Sequence, residues 1–121
     1  MKVKFEFDVE EIVYINELLN KLYSFAFNSF SCVEKIEISI GYELSDLFDK
    51  KRRIITQRGI TTNGLKKYKI SLKYYQAWAL KQILRNYLYL LENDYQKLKI
   101  EKSISHLDLE TVEDVNILEQ H

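Results

Sequence analysis

The chain has one cysteine, Cys32, which excludes an intrachain disulfide and any all-cysteine metal site, and a lone thiol suits a reducing cytosol. Cys32 is expected as a small buried apolar residue. There are two histidines, His106 and His121, and neither has a partner at metal-ligand spacing, so no metal is expected. None of the three glycines sits in a phosphate-cradling loop, and no G-x-S-x-G turn marks a nucleophile. No cofactor follows from any motif. No apolar run approaches the ~18 residues of a membrane span. The opening MKVKFEFDVEE spaces its charges too closely for a signal-peptide core. The expectation is a cytoplasmic protein without a membrane partner.

What is abundant points to a source. Lys, Ile, Tyr, Asn and Phe supply 49 residues, whereas Gly, Ala, Arg and Pro supply 10. The first group is written with AT-rich codons, as in a low-GC bacterium or a phage or plasmid living in one. At 121 residues, 46% of them hydrophobic, the chain is expected to form a single domain over 1–121, burying roughly two-thirds of its unfolded surface.

Residues 2–8, KVKFEFD, alternate charged and apolar positions and read as a half-buried strand. Asp8 and Glu11 read as a capping box opening a helix to about residue 26, with Ile12, Ile15, Leu19, Leu22 and Ala26 inward. Residues 33–43 alternate again, with Ile36, Ile38 and Ile40 on one face, and predict a second strand. Asn63-Gly64 lies between β-rich runs and predicts a tight hairpin. In that register Ile55 faces Leu72, Gln57 faces Ile70 and Gly59 faces Tyr68; on the other face Thr56 meets Ser71, Arg58 meets Lys69 and Ile60 meets Lys67. A second helix is expected from Lys73 to about Asn93, with Ala77, Leu80, Leu84, Leu88 or Tyr87, and Leu91 inward. Residues 94–105 fit a helix better than an edge strand. The acidic tail, 107–121, makes a short docked helix or frays. A shift of 65 residues lays 2–23 on 67–88, with Lys2/Lys67, Lys4/Lys69 and Leu19/Leu84 identical. The fold class expected is α+β: a mostly antiparallel sheet of about four strands, two main helices packed on one face, and a short C-terminal helical segment.

The formal net charge of zero hides a division. Residues 50–73 carry nine cations and no acid: Lys50, Lys51, Arg52, Arg53, Arg58, Lys66, Lys67, Lys69 and Lys73. Such a patch suits a solvated or acid-paired face, or one that steers an anionic partner. Tyr68, Tyr74, Tyr75 and Trp78 interleave with it as candidate stacking residues. Acids gather elsewhere, at Glu10, Glu11 and Glu17 in the first helix and Glu110, Glu113 and Asp114 in the tail. The nearest thing to a catalytic pattern is Asp46, Asp49 and Lys51, which loosely resembles the Asp…Asp-x-Lys arrangement of metal-dependent nucleases. That family places its second acid and lysine on a strand, whereas these residues read as loop.

The sequence therefore favours a non-enzymatic binding protein of a phage or plasmid in a low-GC bacterium. Its expected partner is a host protein or protein–nucleic-acid complex, which it inhibits stoichiometrically by presenting its acidic surface to basic clefts. The alternative is a direct nucleic-acid-binding module using the basic segment 50–73, and the remote one a small nuclease. A homodimer is compatible with all three.

Overall fold

The computed structural model describes residues 2–57 and 67–119 in backbone, and side chains as far as residue 108. Strand β1 (Lys2–Asp8) runs directly into helix α1 (Val9–Lys21), and two short 3-10 turns lead to helix α2 (Cys32–Gln57). Strand β2 (Lys67–Lys73) runs directly into α3 (Tyr74–Tyr87), and a 3-10 turn at Leu88–Leu90 leads to α4 (Asp94–Glu119).

β1 and β2 form a two-stranded antiparallel ribbon in which Val3 lies opposite Leu72, Phe5 opposite Ile70 and Phe7 opposite Tyr68. Because side chains alternate across a strand, these six apolar residues share one face, and the helices cover it. Phe5, Phe7 and Leu72 are fully buried, in one core with Ile12, Leu19, Phe48, Leu80, Leu84, Ile100 and Leu107. α1 and α3 each pack against both α2 and α4.

The expected four-stranded sheet with two main helices is therefore corrected to one ribbon and four helices among the described residues. Residues 33–43 belong to α2. Three isoleucines at a period of two imitate a strand, but the longer pattern Ile38, Gly41, Leu44, Ser45, Phe48 and Ile55 buries one helical face over the whole element. Ile36 is left 56% exposed. α2 also has its own start signal: Ser31 Oγ accepts the Glu34 N–H at 3.3 Å, and the Glu34 carboxylate accepts the Ser31 N–H at 3.1 Å. The hairpin register falls as well, since Ile55, Thr56 and Gln57 are helical and β2 pairs with β1. Asn63-Gly64, together with Gly59 and Ile60, lies outside the described residues. Among the described residues there is no separate C-terminal helical segment, because α4 runs unbroken to Glu119; residues 94–105 are helix. Asn93 opens it, its Oδ1 accepting from the N–H groups of Tyr95 and Gln96 at 2.8 and 3.2 Å.

The first strand and helix formed where expected. Asp8 accepts the Glu11 N–H at 2.8 Å and Glu11 accepts the Asp8 N–H at 3.2 Å, completing the capping box. Ile12, Ile15, Leu19 and Leu22 are buried, while α1 ends at Lys21 and leaves Ala26 exposed. The 65-residue shift lays β1 on β2 and the start of α1 on that of α3. Glu11 has its counterpart in Gln76, which accepts the Lys73 N–H at 2.9 Å. Two β-α-α units therefore face one another. Phe5 and Ile70 are counterparts and also cross-strand partners, so a pseudo-two-fold axis passes between them, perpendicular to the ribbon.

At Gly41 α2 lies close against side chains of its neighbours. A Cβ there would stand 2.8 Å from Leu22 Cδ1 and 2.9 Å from Ile83 Cδ1. Alanine asks only two methyl ends to move and gains about 1 kcal/mol of helix propensity, so Gly41→Ala is expected near neutral. Gly41→Val overfills a packed site and is expected to lose roughly 1–3 kcal/mol in denaturant unfolding. A Gly41→Val chain as stable as the parent would contradict this packing.

Candidate functional site on the basic ribbon

The alternation that buries one face of the ribbon leaves charge on the other. Cross-strand pairs on the solvent face are Lys2 with Lys73, Lys4 with Ser71, Glu6 with Lys69, and Asp8 with Lys67. All but Asp8 are exposed. Measured along the ribbon from the Phe5–Ile70 centre, Lys2, Lys4, Lys69 and Lys67 follow one another at steps of about 6.8 Å.

Of the two acids on this face, Glu6 stays exposed opposite Lys69, and Asp8 is drawn away from it. Asp8 is opposite Lys67 but turns to α4, where Lys99 Nζ donates to its Oδ2 at 2.6 Å. Burial by itself would push the Asp8 carboxyl up, yet the Lys99 ammonium and the Glu11 backbone N–H hold it below its ordinary value. Lys99 is shifted the other way: burial opposes its charge, and the Asp8 carboxylate more than restores it. Glu11 is 4% exposed and accepts from Ser103 Oγ at 2.6 Å. Among the described residues no acid lies within ion-pair distance of Lys2, Lys4, Lys67, Lys69 or Lys73.

A groove flanks each edge. Between α2 and β2 a cavity of about 460 Å³ is lined by Glu43, Asp46, Lys50, Lys51, Lys69 and Ser71 among others. Between α4 and β1 one of about 330 Å³ is lined by Lys4, Glu6, Glu11, Lys67, Lys102 and His106. The expected basic set thus divides. Lys50, Lys51, Lys67, Lys69 and Lys73 gather on or beside the ribbon. Arg52 and Arg53 line a different groove, between α1 and α2. There Arg52 donates to Asn16 Oδ1 at 3.2 Å and lies 3.8 Å from Glu17, while Arg53 pairs with Asp49 at 2.7 Å. Arg58 and Lys66 lie outside the described residues.

The aromatic candidates divide too. Tyr68 is buried on the inner face and Tyr74 is half-buried. Tyr75 and Trp78 are 43% and 39% exposed, both on α3. Tyr75 donates to Glu43 at 3.3 Å, and the Lys73 ammonium lies 5.9 Å from its ring centre.

The expected acidic surface of α1 is largely occupied within the fold. Glu10 accepts from Tyr14 and Tyr95 at 3.2 and 2.9 Å, Glu11 is buried, and Glu17 faces Arg52. The side chains of Glu110, Glu113 and Asp114 lie outside the described residues. Asp46, Asp49 and Lys51 stand on a helix, with Asp49 engaged by Arg53. Among the described residues no three His, Cys, Asp or Glu converge as a metal site, and no helix is long and apolar enough to cross a membrane. Cys32, expected buried, is exposed at the first position of α2.

Sequence reasoning passed over Lys2, Lys4 and Lys102. The signal for the first two was present: KVKFEFD puts them on the polar face, and the 65-residue shift equates them with Lys67 and Lys69. No family model matches the chain, and neither the curated proteins nor the solved structures contain a match.

Removing one member of the Asp8–Lys99 pair leaves a buried charge behind, so Lys99→Met is expected to cost roughly 3 kcal/mol near neutral pH. The lowered Asp8 pKa contributes stability above the unfolded value of about 3.9 and loses it as pH falls through the folded one. Denaturant titrations of parent and variant should therefore converge in acid. A gap that stays constant from pH 7 to pH 2 would contradict the assignment.

Proposed function

We propose that the chain is a non-enzymatic binding protein that holds nucleic acid on the solvent face of the β1–β2 ribbon. One observation carries the reading: five exposed lysines share that face, and its buried acid, Asp8, is taken by Lys99. Lysines that no described acid pairs with can neutralise phosphates and release their counterions, which supplies most sequence-independent affinity. Lys50 and Lys51 on one flank, beside Glu43 and Asp46, and Lys102 on the other, beside Glu6, add cations next to the ribbon.

The inhibitor reading has less support, because Glu10, Glu11 and Glu17 already have partners inside the fold. The proposed setting is a mobile element of a low-GC bacterium. There the protein works by stoichiometric occupancy in the host cytoplasm, on nucleic acid or on the machinery that handles it.

Fluorescence anisotropy with a labelled oligonucleotide across 50–300 mM salt tests this. With four or five lysines on phosphates, the slope of log K against log salt is expected near about −4. The double variant Lys67→Glu/Lys69→Glu should weaken binding more than about tenfold at 100 mM salt and flatten that slope. Binding that ignores salt, or a double variant that binds like the parent, would remove the reading.

A further inference from the structure

We infer that the partner of the ribbon is double-stranded DNA, met along its two-fold axis with the ribbon in the major groove; this rests on the nucleic-acid reading above.

The pseudo-two-fold axis stands perpendicular to the ribbon at Phe5 and Ile70 and exchanges Lys4 with Lys69 and Lys2 with Lys67. A duplex has local two-fold axes perpendicular to its length, which open into its grooves. A single strand has a direction and no such axis. The four lysines Lys2, Lys4, Lys69 and Lys67 read the same from both ends and so match a duplex, while Lys73 and Glu6, whose counterparts are Asp8 and Ser71, stand outside that symmetry. The same relation ties operator palindromy to the two-fold symmetry of dimeric binders. Here one chain supplies both halves.

Dimensions agree. Two strands lie about 4.8 Å apart, and the major groove, about 12 Å wide, admits such a ribbon where the minor groove, about 6 Å wide, does not. Beyond the two edges of the ribbon stand Lys50 and Lys51 of α2 and Lys102 of α4, on the two sides where the bordering phosphate backbones would run.

The chemistry of the face points the same way. Single strands are held by stacking bases on aromatic rings, and among the described residues the ribbon strands present none outward: Tyr68 turns into the core, and the exposed Tyr75, beside Lys73 at one end, and Trp78 belong to α3. Near the axis the face presents Lys4, Glu6, Lys69 and Ser71. Lysine donates to guanine O6 and N7, a carboxylate accepts from cytosine N4, and serine suits either. In A-form RNA the major groove is too deep and narrow for side chains to read, which favours DNA over an RNA duplex.

Anisotropy with a 20-base-pair DNA duplex, the RNA duplex of the same sequence and the corresponding single strand tests the inference at one salt concentration. The DNA duplex is expected to bind about tenfold or more tighter than either competitor. Lys4→Ala and Lys69→Ala should each weaken duplex binding several-fold, by factors agreeing within about two. Lys21→Ala, exposed on α1 away from the face, should change nothing. Equal or tighter binding of the single strand or the RNA duplex overturns duplex DNA while the nucleic-acid reading stands. A loss confined to Lys69→Ala, with Lys4→Ala silent, overturns the two-fold mode. No binding to any of the three overturns both.

Discussion

Everything in this fold hangs on the pairing of β1 with β2 about Phe5 and Ile70. A two-stranded ribbon alone is marginal in water, so its stability comes from the apolar face that Val3, Phe5, Phe7, Tyr68, Ile70 and Leu72 present jointly to the helices. The same pairing decides where the lysines go. Lys2 opposite Lys73 is a like-charge pair, unfavourable by up to about 1 kcal/mol. That is small beside the burial of Phe5 and Phe7, each on the order of 2 kcal/mol. Core and charged surface are two sides of one register, and a slip by one residue would exchange them.

The outer helices then set the electrostatics. α4 is tied to the corner between β1 and α1 by Lys99 on Asp8, Ser103 on Glu11 and Tyr95 on Glu10. The first of these contacts draws Asp8 off the ribbon surface, while Glu6 stays exposed on it. The two units differ in how the outer helix grips its own inner helix. In the first, Arg52 of α2 reaches Asn16 and Glu17 of α1; in the second, Asp108 of α4 meets Lys81 and Arg85 of α3 at 3.2 and 3.6 Å. Asn16 and Lys81 are counterparts under the 65-residue shift. The backbone plan repeats while the charges at the seam reverse, so the repetition is hidden from residue identity and visible in the pattern of burial.

What could be read in the letters follows from locality. β1, the Asp8–Glu11 capping box, α1, the body of α3 and the repeat are all written within stretches of about twenty residues. α2 was misread because Ile36, Ile38 and Ile40 outweighed the longer helical spacing, although Ser31 and Glu34 marked its start. The pairing of β2 was misread because Asn63-Gly64 suggested a local partner, while the true partner is the opening strand of the chain. For the site, the lysines of β2 were legible and those of β1 were not credited, since they lie outside the dense run of cations. That Arg52 and Arg53 point away from the ribbon depends on helical phase in α2, which a strand reading could not supply.

The most direct test of the central claim is backbone NMR on isotopically labelled protein titrated with duplex DNA. The account predicts shift changes at Lys2, Lys4 and Glu6 together with Lys67, Lys69 and Ser71, so that both strands respond at once, while α1 around Glu10 to Glu17 stays still. Changes confined to one strand, or centred on the acids of α1, would contradict it.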